Sequence, residues 1–120
     1  MHEMSIALRI IEIATDALPP NRPDIEVESV NVEVGQLTAV VPASLRFCFE
    51  IASRDTAIAG AQLVIEEIPI VVVCGDCQAE SEQEGFPLMC ASCHSRHVDL
   101  LCGRELRVTS IEVADPEEHS

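Results

Sequence analysis

Two Cys-x-x-Cys pairs, "CGDC" at Cys74 and Cys77 and "CASC" at Cys90 and Cys93, are separated by twelve residues, and this spacing constrains the chain more than anything else in it. Tetrahedral zinc takes four soft ligands at about 2.3 Å, and each short turn aims two thiolates at one point, so two turns close a site. Four closed ligands leave no open position for catalysis, so the metal is expected to be structural. The competing readings are a redox dithiol, which ordinarily needs only one pair, and two disulfides, which suit an oxidising compartment. "CHSRH" puts His94 and His97 beside the last pair as possible secondary or alternative ligands, or else as solvent-facing neighbours of the site. Cys48 and Cys102 are read as packing residues.

The rest of the chain must form a modest core. Its 120 residues are 48% hydrophobic but include three Phe and no Trp or Tyr, so Ile, Val, Leu and Ala do the packing and a structural metal adds stability. Seven Arg, no Lys and 21 acidic residues give a formal charge of -14, which repels phosphate backbones and anionic membrane surfaces. The expected partners are a metal cation and protein surfaces, with neither nucleic acid nor membrane. Ser5, Arg9, Glu12 and Asp16 interrupt the apolar character of the first eighteen residues, which argues against a secretion signal, and no segment is long enough to span a bilayer. The expected location is the cytoplasm.

Periodicity organises what lies on either side of the cysteines. Met4, Ile6, Leu8, Ile10, Ile11, Ile13, Ala14 and Ala17 predict the apolar face of a first helix, ended by "PPNRP". Ile25 and Val27, then Val30, Val32 and Val34, predict a strand whose phase slips near Ser29, as at a bulge. Pro42 can open a second helix, "PASLRFCFEIASRD", with Leu45, Cys48, Phe49 and Ala52 inward. "AQLVIEEIPIVVV" reads as one strand running into Cys74, and the stretch from Cys74 to Cys102 has no periodicity. "ELRVTSIEV" echoes "VESVNV" and predicts a strand returning to the same sheet. The fold class is α+β: two helices on a roughly three-stranded sheet formed by 1–73 and 103–120, with a zinc-ribbon-like insertion at 74–102. The tail "ADPEEHS" is expected to fray.

Met1-His2-Glu3 adds a second metal possibility. A bulky second residue should leave the initiator methionine in place, so that the terminal amine, the His2 amide nitrogen and the His2 imidazole occupy consecutive chelate positions. Square-planar nitrogen coordination favours Ni(II) or Cu(II), whereas zinc prefers the thiolates. A fourth ligand comes from the Glu3 amide or carboxylate, or from elsewhere.

"MHEMSIALRIIEIA", "VNVEVGQL", "LRFCFE", "LVIEEIP", the paired cysteines and "GRELRVTSIEV" together resemble the HypA/HybF family of hydrogenase nickel-incorporation proteins over nearly the whole sequence. Ala43 stands where an acidic residue often follows the proline, and Cys102 is additional, but no motif ligand is missing. The resemblance implies a nickel-binding α/β domain carrying a zinc domain. It implies His2 as the essential nickel ligand with nitrogen donors from Met1 and Glu3, and Cys74, Cys77, Cys90 and Cys93 on zinc. It also implies a nickel-handling GTPase and the hydrogenase large-subunit precursor as partners, with urease served by some relatives, the chain acting as a monomer or homodimer. The expected function is non-enzymatic nickel delivery. The alternatives are a zinc-ribbon adaptor for protein interaction or transcription, disfavoured for direct nucleic-acid contact by the charge, and an enzyme using His2, disfavoured by the lack of a nucleophile and base constellation.

Overall fold

A computed structural model describes residues 3–21 and 25–114. Met1, His2 and the tail beyond Ala114 lie outside the described residues. The elements run α1 (Glu3–Asp16), β1 (Glu26–Gly35), a 3-10 turn (Gln36–Thr38), α2 (Pro42–Ser53), β2 (Gln62–Ile68), β3 (Ile70–Cys74), β4 (Glu80–Gln83), β5 (Val98–Cys102) and β6 (Leu106–Ala114). Two helices and two three-stranded sheets, ordered β2-β1-β6 and β4-β3-β5, make an α+β fold. No helix among the described residues is long and apolar enough to cross a membrane.

The chain divides into two compact units, one of Met1–Glu33, Val40–Glu66 and Arg107–Ser120, the other of Val34–Ala39 and Glu67–Leu106. In the first, α1 and α2 pack together. Ile6, Ala7, Ile10, Ile11 and Ala14 recur three or four apart and bury one stripe of α1, with Ala7 and Ala14 small enough for close approach. Leu45, Phe49 and Ser53, one turn apart, do the same for α2, and Ile58, Val27, Val30, Val32 and Leu63 are buried as well. Burying side chains of this size stabilises by about 1.5–3 kcal/mol each.

Both buried stripes are narrower than the hydrophobic pattern suggests. Met4, Leu8 and Ile13, expected to face inward, are exposed, whereas Ala7 is fully buried. A stripe spanning every apolar residue would wrap most of the helix circumference, more than one packing partner can cover. Phe47 and Ile51 are likewise exposed on α2. Pro42 opens α2 at its first turn, where its missing N–H costs nothing, and the Glu3 carboxylate accepts a hydrogen bond from the Val41 N–H at 3.5 Å, at a helix start lacking a side-chain cap of its own.

The phase slip in β1 is present: Ser29 and Val30 are buried in succession. As expected, β6 returns to the sheet of β1. The Thr109 hydroxyl donates to the Asn31 carbonyl at 3.1 Å, Arg107 pairs with Glu33 at 2.6 Å and Gly35 N–H donates to the Glu105 carbonyl at 2.6 Å. These partners run in opposite order, as in antiparallel neighbours.

The expected single strand through residues 61–73 is instead two, broken at Pro69 between β2 and β3. Proline cannot donate to a ladder, and at this point the chain leaves one sheet for the other. In the second unit β3 is central, pairing antiparallel with β4 (Ile70 with Gln83, Val73 with Glu80) and with β5 (Val72 with Leu100, Cys74 with Val98). Ile70, Val72 and Cys74 alternate inward. The segment expected to lack periodicity therefore carries two strands: β4, whose polar residues give no hydrophobic signal, and β5, whose five residues are too few to set a clear alternation. Gly35 packs so tightly on Gly103 that a Cβ there would collide with its carbonyl, and the Cys102 thiol donates to the Pro69 carbonyl at 3.3 Å, a packing role.

Candidate metal centre

The end of β3 delivers Cys74 into a turn, Cys74–Cys77, and a second turn, Cys90–Cys93, repeats its geometry. Cys74 N–H donates to the carbonyl of Ala79 at 2.9 Å, and Cys90 N–H to that of Ser95 at 2.8 Å. Each turn closes with an N–H to the first cysteine's carbonyl at 3.0 Å, from Gln78 and His94 respectively. Those two residues take the left-handed backbone conformation, φ 66° and 63°.

The first sulfur of each pair also accepts N–H bonds from the backbone of its own turn. Asp76 and Cys77 donate to Cys74 Sγ at 3.3 and 3.4 Å, and Ser92 and Cys93 donate to Cys90 Sγ at the same distances. Cys74 and Cys90 are buried, while Cys77 and Cys93 are exposed.

All four sulfurs lie within 4.8 Å of one another. The shortest approaches cross between turns, Cys74 to Cys93 at 3.6 Å and Cys77 to Cys90 at 3.5 Å. A disulfide needs about 2.05 Å. Two bonds of about 2.3 Å at a tetrahedral angle place sulfurs about 3.8 Å apart, so the donor set and its spacing fit zinc.

Backbone bonds, burial and neighbouring thiols together divide the four thiols electrostatically. Cys90 is lowered to about 6, chiefly by the Cys93 N–H, against burial and with help from the Ser92 N–H. Cys74 is lowered in the same way, led by the Cys77 N–H. For Cys93 the backbone N–H of Ser95 pulls down, but the Cys74 thiol, burial and the remaining two thiols together push it up to about 12. Cys77 is raised too: the Ala79 N–H pulls it down, but the Cys90 thiol, burial and Cys74 outweigh that pull. The first cysteine of each pair is thus the readier thiolate.

Among the described residues the cluster contains no histidine. His94 serves the turn, and the His97 Nδ1 faces Asp76 Oδ1 at 3.6 Å, with its side chain 81% exposed. Sequence reasoning missed three participants. Gly75 N–H donates to the His97 carbonyl at 2.7 Å, the Ser95 hydroxyl donates to Asp76 Oδ2, and His97 N–H donates to Ser95 Oγ at 3.0 Å. The Ser95 hydroxyl, followed by His97, holds the Asp76 carboxyl below its usual range. No spacing rule marks these residues, because their partners meet only after both turns have formed. At the other metal motif, Glu3 is the sole described member, placed at the start of α1.

A family model described as hydrogenase/urease nickel incorporation, metallochaperone, HypA, matches residues 1–113. The chain is 56% identical over 118 residues to the hydrogenase maturation factor HypA of Desulfatibacillum aliphaticivorans, covering 98% of this chain and 91% of that one. It is 50% identical over 115 residues to the factor of the same name from Desulfosudis oleivorans, covering 96% and 100%. The fold matches the solution structure of the Ni metallochaperone HypA from Helicobacter pylori with a TM-score of 0.63 at 25% identity, over 93% of this chain and 97% of that one. These descriptions are of a metallochaperone and maturation factor, not of a catalyst. With its paired cysteines and its match over nearly the full length, the chain belongs to the HypA family of hydrogenase and urease nickel-incorporation metallochaperones.

Proposed function

We propose that this chain captures Ni(II) at its amino terminus and hands it over during maturation of a nickel-iron hydrogenase, with urease as a second destination. Family membership, together with the Met1-His2-Glu3 that opens the sequence, carries this reading. The Met1 amine and the His2 amide and imidazole nitrogens form fused chelate rings that suit square-planar Ni(II). Glu3 contributes its backbone nitrogen. One oxygen of its carboxylate accepts from the Val41 N–H at 3.5 Å.

Zinc is held by Cys74, Cys77, Cys90 and Cys93, with His94 and His97 outside its first set of ligands; the fit of the sulfur spacing supports this. Nickel binding belongs to 1–73 and 103–120, and zinc binding to 74–102. The zinc module supplies a rigid docking surface, and its closed ligand set keeps the thiolates from competing for cargo. The recipients are a nickel-handling GTPase and the hydrogenase large-subunit precursor in the cytoplasm, approached by a monomer or homodimer. Handover proceeds by ligand exchange at their surfaces.

Calorimetric and visible-absorption titration with Ni(II) tests the assignment on untagged protein, on His2→Ala, and on a chain carrying one extra glycine ahead of Met1. Both variants are expected to lose the tight site and its square-planar absorption while keeping zinc. Binding like the unaltered chain in both would place nickel elsewhere and favour the zinc-ribbon adaptor.

A further inference from the structure

The two Cys-x-x-Cys turns belong to distant stretches of chain, and metal ligation alone would leave them free to open on the side where Cys77 and Cys93 face solvent. A small set of polar contacts spans that side. Asp76 lies beside Cys77 in the first turn, and Ser95 lies two residues beyond Cys93.

Ser95 is the centre of the set, with each of its polar groups used. Its carbonyl accepts from Cys90 N–H at 2.8 Å, tying it to its own turn. Its hydroxyl donates to Asp76 Oδ2, tying it to the other turn, and accepts from His97 N–H at 3.0 Å. His97 continues the link, its carbonyl accepting from Gly75 N–H at 2.7 Å and its Nδ1 facing Asp76 Oδ1 at 3.6 Å. Gly75 leaves room for this crossing: a Cβ there would stand 3.1 Å from the His97 carbonyl oxygen.

We infer that Asp76 and Ser95 form a latch across the open side of the cysteine cluster that sets how fast zinc leaves. This rests on the zinc assignment above. Neither residue is among the four sulfur donors. Zinc departs only when thiolates detach in succession, and a detached Cys93 or Cys77 is returned to the metal by whatever holds its turn in place. The latch holds Cys93's turn to Cys77's turn, so a released sulfur stays within reach and rebinds before a competing ligand captures the ion. Because the latch is exposed, its contribution to overall stability is small.

The test follows zinc release from the zinc-loaded full chain into an excess of a chromogenic chelator, comparing Ser95→Val, Ser95→Thr, Asp76→Ala and the double variant Ser95→Val with Asp76→Ala. Valine and threonine have the same shape and differ in the hydroxyl alone. Ser95→Val and Asp76→Ala are expected to release zinc about tenfold faster, Ser95→Thr to stay near the unaltered rate, and the double variant to be no faster than either single one. Cobalt substitution should give the same thiolate-to-metal absorption throughout, showing that the ligands themselves are unchanged. Equal rates for Ser95→Val and Ser95→Thr, or fully multiplicative effects in the double variant, would overturn the latch. An unaltered chain that binds no zinc would defeat the zinc assignment, and the latch with it.

Discussion

Cys90 and Cys93 stand three positions apart in one turn, yet their thiols ionise in opposite directions, to about 6 and to about 12. The turn's N–H groups converge on Cys90 Sγ from Cys93 and Ser92 and lower it, whereas Cys93 is raised by the Cys74 thiol, burial and the remaining thiols against the pull of the Ser95 N–H. Metal binding requires thiolates, so a thiol already ionised in the metal-free chain has no proton to release. Near neutral pH the metal-free chain is therefore expected to release fewer than four protons per zinc bound. The count should rise as the pH falls below about 6, because a lowered thiol regains its proton only there and must then give it up to the metal. Zinc titration calorimetry in buffers of different ionisation enthalpy measures this count. A constant four protons across the range would show that the backbone bonds do not poise Cys90. The convergence of the paired cysteines was legible in the sequence, because ligand spacing within a short turn is a local property. Asp76 and Ser95 were not, because they meet across nineteen positions.

At the level of elements, α2 carries two phenylalanines two positions apart with opposite fates: Phe49 is 1% exposed and Phe47 is 63% exposed. Replacing a buried phenylalanine by alanine removes its transfer energy and leaves a cavity, whereas an exposed one loses little. Phe49→Ala should cost about 3–5 kcal/mol in urea unfolding, and Phe47→Ala less than about 0.5 kcal/mol. Comparable losses would mean that Phe47 is covered in solution. Helical periodicity located α2 and placed Leu45 and Phe49 inward, because burial on one side imposes a repeat on the sequence. It could not distinguish an exposed apolar residue from a buried one when both sides of a helix carry them, as with Met4 and Leu8 on α1. The division at Pro69 was readable from proline's missing donor, but the branched residues on both sides masked it. Conversely β4, with the sequence Glu-Ser-Glu-Gln, was invisible because a strand held by its neighbour's ladder needs no apolar pattern of its own.

Across the whole molecule, the apolar core is unevenly divided. The first unit buries Ile6, Ile10, Ile11, Leu45, Phe49 and Ile58, among others, between paired helices and strands. The second has Ile70 and Val72 in its central strand and Val34 at the end of β1, and relies otherwise on Cys74 and Cys90, two of its most buried side chains and also two of the proposed metal ligands. A small core of this kind gains from a metal what it lacks in buried area, so removing the metal also removes folding free energy. Chelation of zinc under reducing conditions is therefore expected to open the second unit while leaving the helical first unit folded. Hydrogen exchange should show Val71–Cys74 and Val98–Cys102 losing protection, with α1 and α2 protected and the helical circular dichroism retained. Restoring zinc should recover protection in β3 and β5 in proportion to the zinc bound, because two of the four proposed ligands, Cys74 and Cys90, are buried in the same unit as Val72. Simultaneous loss of the helical signal would instead mean that the two units fold as one cooperative block, with the metal supporting both.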